Sequence, residues 1–198
     1  MKRTNKKQNL QFFMITYEGN KEFAKKTKQR LIHDCKQWGI TCKVNIIYGY
    51  KIDKKTYTHT NVIFHGIRDK LLPAMLKANT DAYYIEDDVV FTENPFKIPN
   101  KDVVWSVYRN GSLDKTKHKK QVITGSQAIF LSKRAQKLLK EHMDNSRPIQ
   151  IDGYFSKFIR ETGLINSFTQ MKPKIGYEED HVSLISKDKD WKRYKKPN

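Results

Sequence analysis

The sequence has few cysteines and no long apolar run, and these absences exclude several classes of protein. Two cysteines, Cys35 and Cys42, are too few for a disulfide framework or a four-cysteine zinc site. No apolar stretch approaches the ~20 residues that a membrane-spanning helix needs. The apolar run at residues 10–15 is too short for the core of a signal peptide. A cytoplasmic protein without a transmembrane segment is therefore the expectation.

Linkers and repeats are also missing. No internal repeat and no stretch rich in Pro, Gly or Ser divides the 198 residues. Hydrophobic residues make up 37% of the chain and aromatic residues 12%, which is enough to build a core and argues against a disordered protein. The sequence therefore predicts a single domain over residues 1–198, with basic flexible ends at 1–9 and 187–198.

Acidic residues are in the minority. The chain has 39 Lys and Arg against 21 Asp and Glu, a formal net charge of +18. A field of that sign attracts polyanions such as nucleic acid, an anionic membrane surface or nucleotide phosphates. Lys far outnumbers Arg, and Asn and Ile are plentiful, a composition that a genome rich in A and T also produces. Both interpretations of the charge stay open at this point.

Strand-like and helix-like patterns alternate along the chain. Short apolar runs predict strands at residues 10–15, 42–48, 81–85, 103–108 and 122–131. Helical spacing predicts a helix from the N-cap Asn20 to Gly39, and one over 67–79 with a start or kink at Pro73. It predicts two more, one capped by Ser132 and one stopped by Gly163. This order is typical of an α/β domain with a mostly parallel central sheet flanked by helices, in which ligands bind at the strand C-terminal ends.

Three adjacent carboxylates, Glu86, Asp87 and Asp88, directly follow the third predicted strand, with apolar residues on both sides. Packing like charges between buried segments is costly. A divalent cation removes that cost, because carboxylate oxygens suit Mg²⁺ or Mn²⁺, and such a cation commonly also binds substrate phosphates. A nucleotide diphosphate fits this arrangement. The alternative is a solvated acidic turn between two strands.

The acidic segment, Glu86, Asp87, Asp88 and Val89, resembles the metal-binding D-x-D-type motif of GT-A glycosyltransferases. In its E-D-D-V form it is similar to the family 25 glycosyltransferases, which include lipooligosaccharide and collagen galactosyltransferases. Further segments match that family in order over about residues 10–186. They are residues 125–132, residues 147–152 with their Pro-Ile-x-Ile-Asp ending, and residues 171–185. The chain departs from the family at Phe64-His65, where the family has a Ser-His pair.

The resemblance implies a GT-A-like domain that moves a sugar from a nucleotide-sugar donor, expected to be a UDP-sugar, to a hydroxyl acceptor with inversion. It implies Mn²⁺ or Mg²⁺ as cofactor. The implied metal ligands are Asp88, Asp87 and His181. The implied donor-binding residues are Thr16, Tyr17, Glu18, Glu86 and Asp87, with Tyr17 stacking on the base. The implied catalytic base is Asp152.

Each role has a simpler alternative. Asp152 would also be explained as a carboxylate that the helix dipole favours at a helix N-terminus. Tyr17 would be an ordinary tyrosine in a loop, and His181 would belong to a solvated acidic loop. The competing function is a basic nucleic-acid-binding module without catalysis. The sequence has no phosphate-binding P-loop, zinc-finger spacing or RNA-binding aromatic signature. For a glycosyltransferase, two groups of acceptors stay open. One group is polyanionic, such as a hydroxylated base in viral DNA or an anionic glycolipid, and the other comprises neutral glycans and hydroxylated proteins.

Overall fold

A computed structural model describes residues 9–50, 59–87, 89–91, 94, 102–106, 128–171 and 175–177 of the chain. The strands in this part are β1 (Asn9–Thr16), β2 (Thr41–Tyr48), β3 (Ala82–Glu86), β4 (Val89–Phe91), β5 (Val103–Ser106), β6 (Ala128–Leu131), β7 (Phe168–Met171) and β8 (Ile175–Tyr177). The α-helices are α1 (Lys21–Gln37), α2 (His59–Gly66), α3 (Leu72–Ala78), α4 (Lys133–Asp144) and α5 (Ile151–Glu161).

A six-stranded sheet, in the order β2-β1-β3-β6-β5-β7, forms the centre of the fold. β1 pairs in parallel with β2 and β3, and β5 pairs in parallel with β7. β6 is antiparallel to both of its neighbours, β3 and β5. All strands of this sheet except β6 therefore run in one direction, which confirms the predicted mostly parallel α/β architecture. β4 and β8 form a separate antiparallel pair.

Both faces of the sheet are covered. In β1, Phe13 and Ile15 belong to one core, whereas Phe12 and Met14 belong to the other, because successive side chains of a strand point to opposite faces. The first core includes residues of α3, α4 and α5, and the second includes residues of α1. Burial on both faces explains why the strands appear in the sequence as nearly continuous apolar runs.

Local signals for helix ends are confirmed in most places. The Ser132 side chain caps α4 by accepting a 3.1 Å hydrogen bond from the backbone N–H of Ala135. Gly39 and Gly163 follow α1 and α5 with φ of +70° and +72°, which favours glycine. Asn20 does occupy the N-cap of α1, but its side chain makes no capping bond. Its own N–H donates to the Tyr17 carbonyl in a preceding 3-10 turn, Glu18–Asn20, so its backbone is not extended as a capping residue requires.

The helix predicted at 67–79 is longer than the sequence pattern indicated. The helical run begins at His59 and continues through a π-helical turn, Ile67–Leu71, into α3. The backbone N–H of Leu72 donates to the carbonyl of Ile67, five residues earlier. Pro73 lies in the first turn of α3, where its missing N–H is tolerated. The wide turn before Pro73 thus lets the helical run continue past it.

Two short strands near the end of the described chain, β7 and β8, were not predicted. They have 4 and 3 residues, too few to display an alternating pattern. The strands predicted at 103–108 and 122–131 correspond to β5 and β6, and residues 107–127 lie outside the described part of the chain.

Candidate active site

The carboxyl ends of β1, β2 and β3 meet at one edge of the sheet. Thr16 is paired with Tyr48 of β2, and Ile15 is paired with Glu86 of β3. In α/β sheets this edge is where ligands bind. The acidic residues that follow β3 therefore lie directly beside the loop that follows β1.

Asp87 joins the ends of β1 and β3. The Oγ1 of Thr16 donates a 2.6 Å hydrogen bond to Oδ2 of Asp87. The Oγ1 of Thr27, on α1, donates a 2.7 Å bond to the backbone carbonyl of Asp87. All three residues are buried. Two hydroxyls from two different elements thus fix both the side chain and the backbone of this aspartate.

Negative charge is concentrated around the hydroxyl of Tyr17. Burial raises the pKa of this hydroxyl well above its ordinary value, and the charges of Asp87 and Glu86 raise it further. The Tyr17 hydroxyl is buried and has no hydrogen-bond partner among the residues that the structure describes. The field of Asp87 and Glu86 at this hydroxyl is therefore negative.

At this edge the structure describes two carboxylates that follow each other in the chain, Glu86 and Asp87. Carboxylate oxygens are the ligands that Mg²⁺ and Mn²⁺ prefer. Of the other implied metal ligands, Asp88 and His181 lie outside the described residues. Over the ranges that the structure does describe, no group of three or more His, Cys, Asp or Glu is arranged to hold a metal.

Two glycines make room for the Tyr17 ring. A Cβ added at Gly49 would lie 2.5 Å from Cε1 of Tyr17, and one at Gly66 would lie 3.4 Å from its hydroxyl oxygen. The backbone N–H of Gly49 also donates a 2.7 Å bond to the carbonyl of Thr16. The ring of Tyr17 is thus packed between the end of β2 and the end of α2. Its predicted stacking on a base stays a prediction beside this packing role.

α5 packs on α2 through Tyr154 and Phe64, whose ring centroids are 5.0 Å apart. The Tyr154 hydroxyl is hydrogen bonded to Nδ1 of His142, and Nε2 of His142 lies 2.8 Å from a carboxylate oxygen of Glu161. Burial raises the pKa of Tyr154 to about 12. These contacts hold the helix whose second residue is Asp152. The side chain of Asp152 lies outside the described atoms.

The structure therefore brings four of the predicted site residues together at the carboxyl edge: Thr16, Tyr17, Glu86 and Asp87. Glu18 follows in the 3-10 turn after Tyr17, and its side chain is not among the described ones. Sequence reasoning missed the roles of Thr27, Gly49 and Gly66. A polar residue on the apolar face of α1 was the available signal for Thr27. Nothing local indicated which elements the two glycines would bring together.

No model of a known protein family matches the sequence, and no curated protein matches it either. Several solved structures have a fold similar to that of this chain. A Drosophila β1,4-galactosyltransferase 7 variant with manganese, UDP-galactose and xylobiose superposes with a TM-score of 0.51 and 8% identity, over 82% of this chain and 64% of that chain. The chain has a GT-A-like fold.

Two further glycosyltransferases resemble the chain at similar levels. One is involved in glycosylation of the major capsid of PBCV-1, with a TM-score of 0.48 and 14% identity over 81% of this chain and 80% of that chain. The other is the galactosyltransferase LgtC with donor and acceptor sugar analogues, with a TM-score of 0.48 and 6% identity over 81% and 73%. At such identities the likeness is one of fold.

The helices in the described ranges include none that is long and apolar enough to cross a membrane.

Proposed function

We propose that the chain is a metal-dependent glycosyltransferase of the family 25 type, which transfers a sugar from a nucleotide-sugar donor to a hydroxyl acceptor. The observation that carries the proposal is Asp87, buried and fixed by Thr16 and Thr27 at the carboxyl edge of a GT-A-like sheet. A buried carboxylate that is held in place beside Glu86 supports a ligand site over a solvated acidic turn. The ordered sequence segments that resemble family 25 support the narrower assignment.

The residues at the ends of β1 and β3 would bind the donor. Asp88, Asp87 and His181 are the proposed ligands of Mn²⁺ or Mg²⁺. Thr16, Tyr17, Glu18 and Glu86 complete the proposed donor site. When bound, the cation supplies Lewis-acid stabilisation of the negative charge on the leaving nucleoside diphosphate. Thr16 contributes by orienting the Asp87 carboxylate, and a UDP-sugar is the proposed donor.

Asp152 is the proposed catalytic base. The acceptor hydroxyl oxygen forms a bond to the anomeric carbon of the donor sugar while the bond from that carbon to the diphosphate oxygen breaks. The proton of the acceptor hydroxyl passes to the Asp152 carboxylate. A single displacement of this kind inverts the anomeric configuration. Asp152 is the second residue of α5, and its place in the 147–152 segment that resembles family 25 supports the role.

The test is donor turnover. The full chain is incubated with Mn²⁺ and a panel of nucleotide sugars, and release of the nucleoside diphosphate is measured with and without EDTA. We expect turnover of at least one donor, its loss in EDTA, and its loss in Asp88→Asn without unfolding. The matched control is Asp81→Asn. Asp81 precedes β3, at the opposite edge of the sheet, and accepts a hydrogen bond from the backbone N–H of Lys133. The side-chain oxygen of an asparagine can accept the same bond. Full activity in EDTA or in Asp88→Asn would contradict the proposal.

The acceptor class follows from a second panel. A hydroxylated DNA base, an anionic glycolipid, a neutral glycan and a hydroxylated protein are offered with the donor that turns over. The net charge of +18 favours the polyanionic acceptors. Binding of nucleic acid without turnover of any nucleotide sugar would instead support the competing function, a basic nucleic-acid-binding module.

A further inference from the structure

The two cysteines of the chain, Cys35 and Cys42, meet where α1 passes into β2. Cys35 lies in the last turn of α1 and is buried, whereas Cys42 is the second residue of β2 and is only half-buried. Cys42 packs against the core cluster that includes Cys35, on the α1 face of the sheet. We refer to these two residues as the thiol pair.

The turn between the two cysteines is fixed by backbone hydrogen bonds. Gly39 follows α1 with φ of +70°, and its N–H donates a 3.1 Å bond to the carbonyl of Lys36. The N–H of Ile40 donates a 2.8 Å bond to the carbonyl of Cys35. These two bonds form a Schellman motif, the arrangement that ends many helices at a glycine. The turn therefore holds the start of β2 against the last turn of α1.

The two thiols are hydrogen bonded to each other. This bond raises the pKa of the Cys35 thiol, and burial and the nearby Asp34 carboxylate raise it further. The same bond lowers the pKa of the Cys42 thiol, although partial burial acts in the opposite direction. Cys35 is therefore the donor and Cys42 the acceptor, and Cys42 is the sulfur that loses its proton first.

The two sulfurs have the properties of an attacking and a resolving thiol. The thiolate is the nucleophile in thiol–disulfide exchange, and reaction also requires access from solvent. Cys42 meets both conditions, since its pKa is lowered and it is half-buried on β2, the outermost strand of the six-stranded sheet. Cys35 is buried and keeps its proton, so it is suited to react only with a disulfide that has already formed at Cys42.

We propose that the thiol pair is a redox modification site, which forms a reversible intramolecular disulfide by exchange with a low-molecular-weight disulfide such as glutathione disulfide. The Cys42 thiolate attacks one sulfur of glutathione disulfide, which forms a mixed disulfide and releases one glutathione thiolate. The Cys35 sulfur then loses its proton, attacks the Cys42 sulfur and releases the second glutathione thiolate. The two protons of the protein thiols end on the two glutathione thiolates. The two protein thiols are thus oxidised to one disulfide, and one glutathione disulfide is reduced to two glutathione molecules.

The thiol pair is independent of the proposed catalytic site. Cys42 is paired with Leu10 near the start of β1, whereas Asp87 is bonded to Thr16 at the end of β1. The two places therefore lie at opposite edges of the sheet, and oxidation of the pair requires no sugar transfer. A reversible disulfide is also the kind that occurs in reducing compartments, where disulfides are transient or redox-sensing.

The first test counts the thiols that remain after oxidation. The full chain is incubated with an excess of glutathione disulfide or with dithiothreitol, then unfolded and alkylated with N-ethylmaleimide, and its intact mass is measured. We expect two adducts on the reduced chain, and no adduct on an oxidised chain that is lighter by two hydrogen atoms. Dithiothreitol should restore both adducts. Two unreacted thiols after oxidation, a lasting glutathione adduct, or a disulfide between two chains would each overturn the proposal.

Two variants form a matched pair, because each removes one of the two sulfurs. Cys35→Ser should accumulate one glutathione at Cys42, since no second sulfur is present to displace it. Cys42→Ser should gain no glutathione over the same time, because the remaining Cys35 is buried. Circular dichroism checks that both variants are folded. Reaction of Cys35 as readily as Cys42 would overturn the assignment of the attacking sulfur.

The second test uses the unaltered chain and measures what the fold contributes. The fraction of disulfide is determined in buffers of increasing glutathione disulfide, for the folded chain and for the chain unfolded in urea, and gives the effective concentration of one thiol at the other. We expect this concentration to be at least about 30-fold higher in the folded chain, the ratio that corresponds to the lower end of the usual stabilisation by a disulfide. The oxidised chain should accordingly unfold at a higher urea concentration than the reduced chain. Equal effective concentrations in the two states would show that the fold does not hold the thiols in a bonding arrangement, and would overturn the proposal.

Discussion

At the scale of single residues, the hydrogen bond between Thr16 and Asp87 joins the ends of β1 and β3. We predict that Thr16→Val lowers the free energy of unfolding by about 1–3 kcal/mol, because a buried carboxylate loses the hydroxyl that donates to it at 2.6 Å. Urea denaturation measures the loss. The same substitution at Thr41, exposed at the start of β2, should change stability by less than about 0.5 kcal/mol. Equal effects at both positions would show that the bond contributes nothing.

Two alternative roles are proposed for Asp152, a catalytic base and a carboxylate favoured at a helix N-terminus, and one substitution distinguishes them. We predict that Asp152→Asn lowers kcat by ~10²–10⁴-fold, the usual contribution of a general base, and leaves donor affinity nearly unchanged. If Asp152 is only a structural carboxylate in the first turn of α5, we expect a different result. That result is a stability loss of about 0.3–1 kcal/mol from the helix dipole, with kcat preserved. Steady-state kinetics and thermal unfolding of the same variant distinguish the two roles.

At the scale of elements, the join between β2 and α2 depends on a glycine. We predict that Gly49→Ala destabilises the fold by about 1–3 kcal/mol, because the added Cβ would lie 2.5 Å from Cε1 of Tyr17 and the crowded ring would have to move. Gly153→Ala is the matched control, since a Cβ there meets nothing within 4 Å. Placed in α5, it should stabilise the protein by about 0.8–1.0 kcal/mol. Opposite signs in chemical denaturation are the expected result, and a neutral Gly49→Ala would contradict the packing argument.

The elements also show which features a sequence can predict. β1 and β3 are buried on both faces, so each is a nearly continuous apolar run. The start of α4 is marked by Ser132, and the ends of α1 and α5 are marked by Gly39 and Gly163. These are local signals. The π-helical turn depends on how the helical run accommodates Pro73 within the packed fold, and β8 depends on a partner, β4, far away in the sequence. Pattern alone predicts neither.

The candidate site follows the same rule. The acidic cluster was predictable because Glu86 and Asp87 lie at the end of a recognisable strand. The bond from Thr16 to Asp87 spans 71 residues, and the bond from Thr27 to the backbone of Asp87 spans 60. Contacts of this range are created by the order of strands in the sheet, which a single sequence does not specify. The residue types at the site were therefore predictable, whereas the geometry that joins them was not.

At the scale of the whole molecule, the net charge of +18 leads to the last prediction. If the acceptor is nucleic acid, Lys and Arg side chains contact phosphates, and log K for duplex DNA falls with log[salt] by about 0.9 for each phosphate neutralised. We expect binding of labelled duplex to weaken ~10³-fold between 50 and 200 mM salt, which corresponds to about six phosphate contacts. Fluorescence anisotropy at the two salt concentrations measures the change.

A variant with the Lys and Arg residues of 187–198 replaced by Gln is the control. It should retain this salt dependence if the phosphate contacts surround the carboxyl edge of the sheet. Binding no tighter than the ~10⁻⁴–10⁻⁶ M non-specific range at physiological salt, or a salt dependence that disappears in the control, would assign the charge to composition or to the terminal segment. The acceptor would then be sought among neutral glycans and hydroxylated proteins.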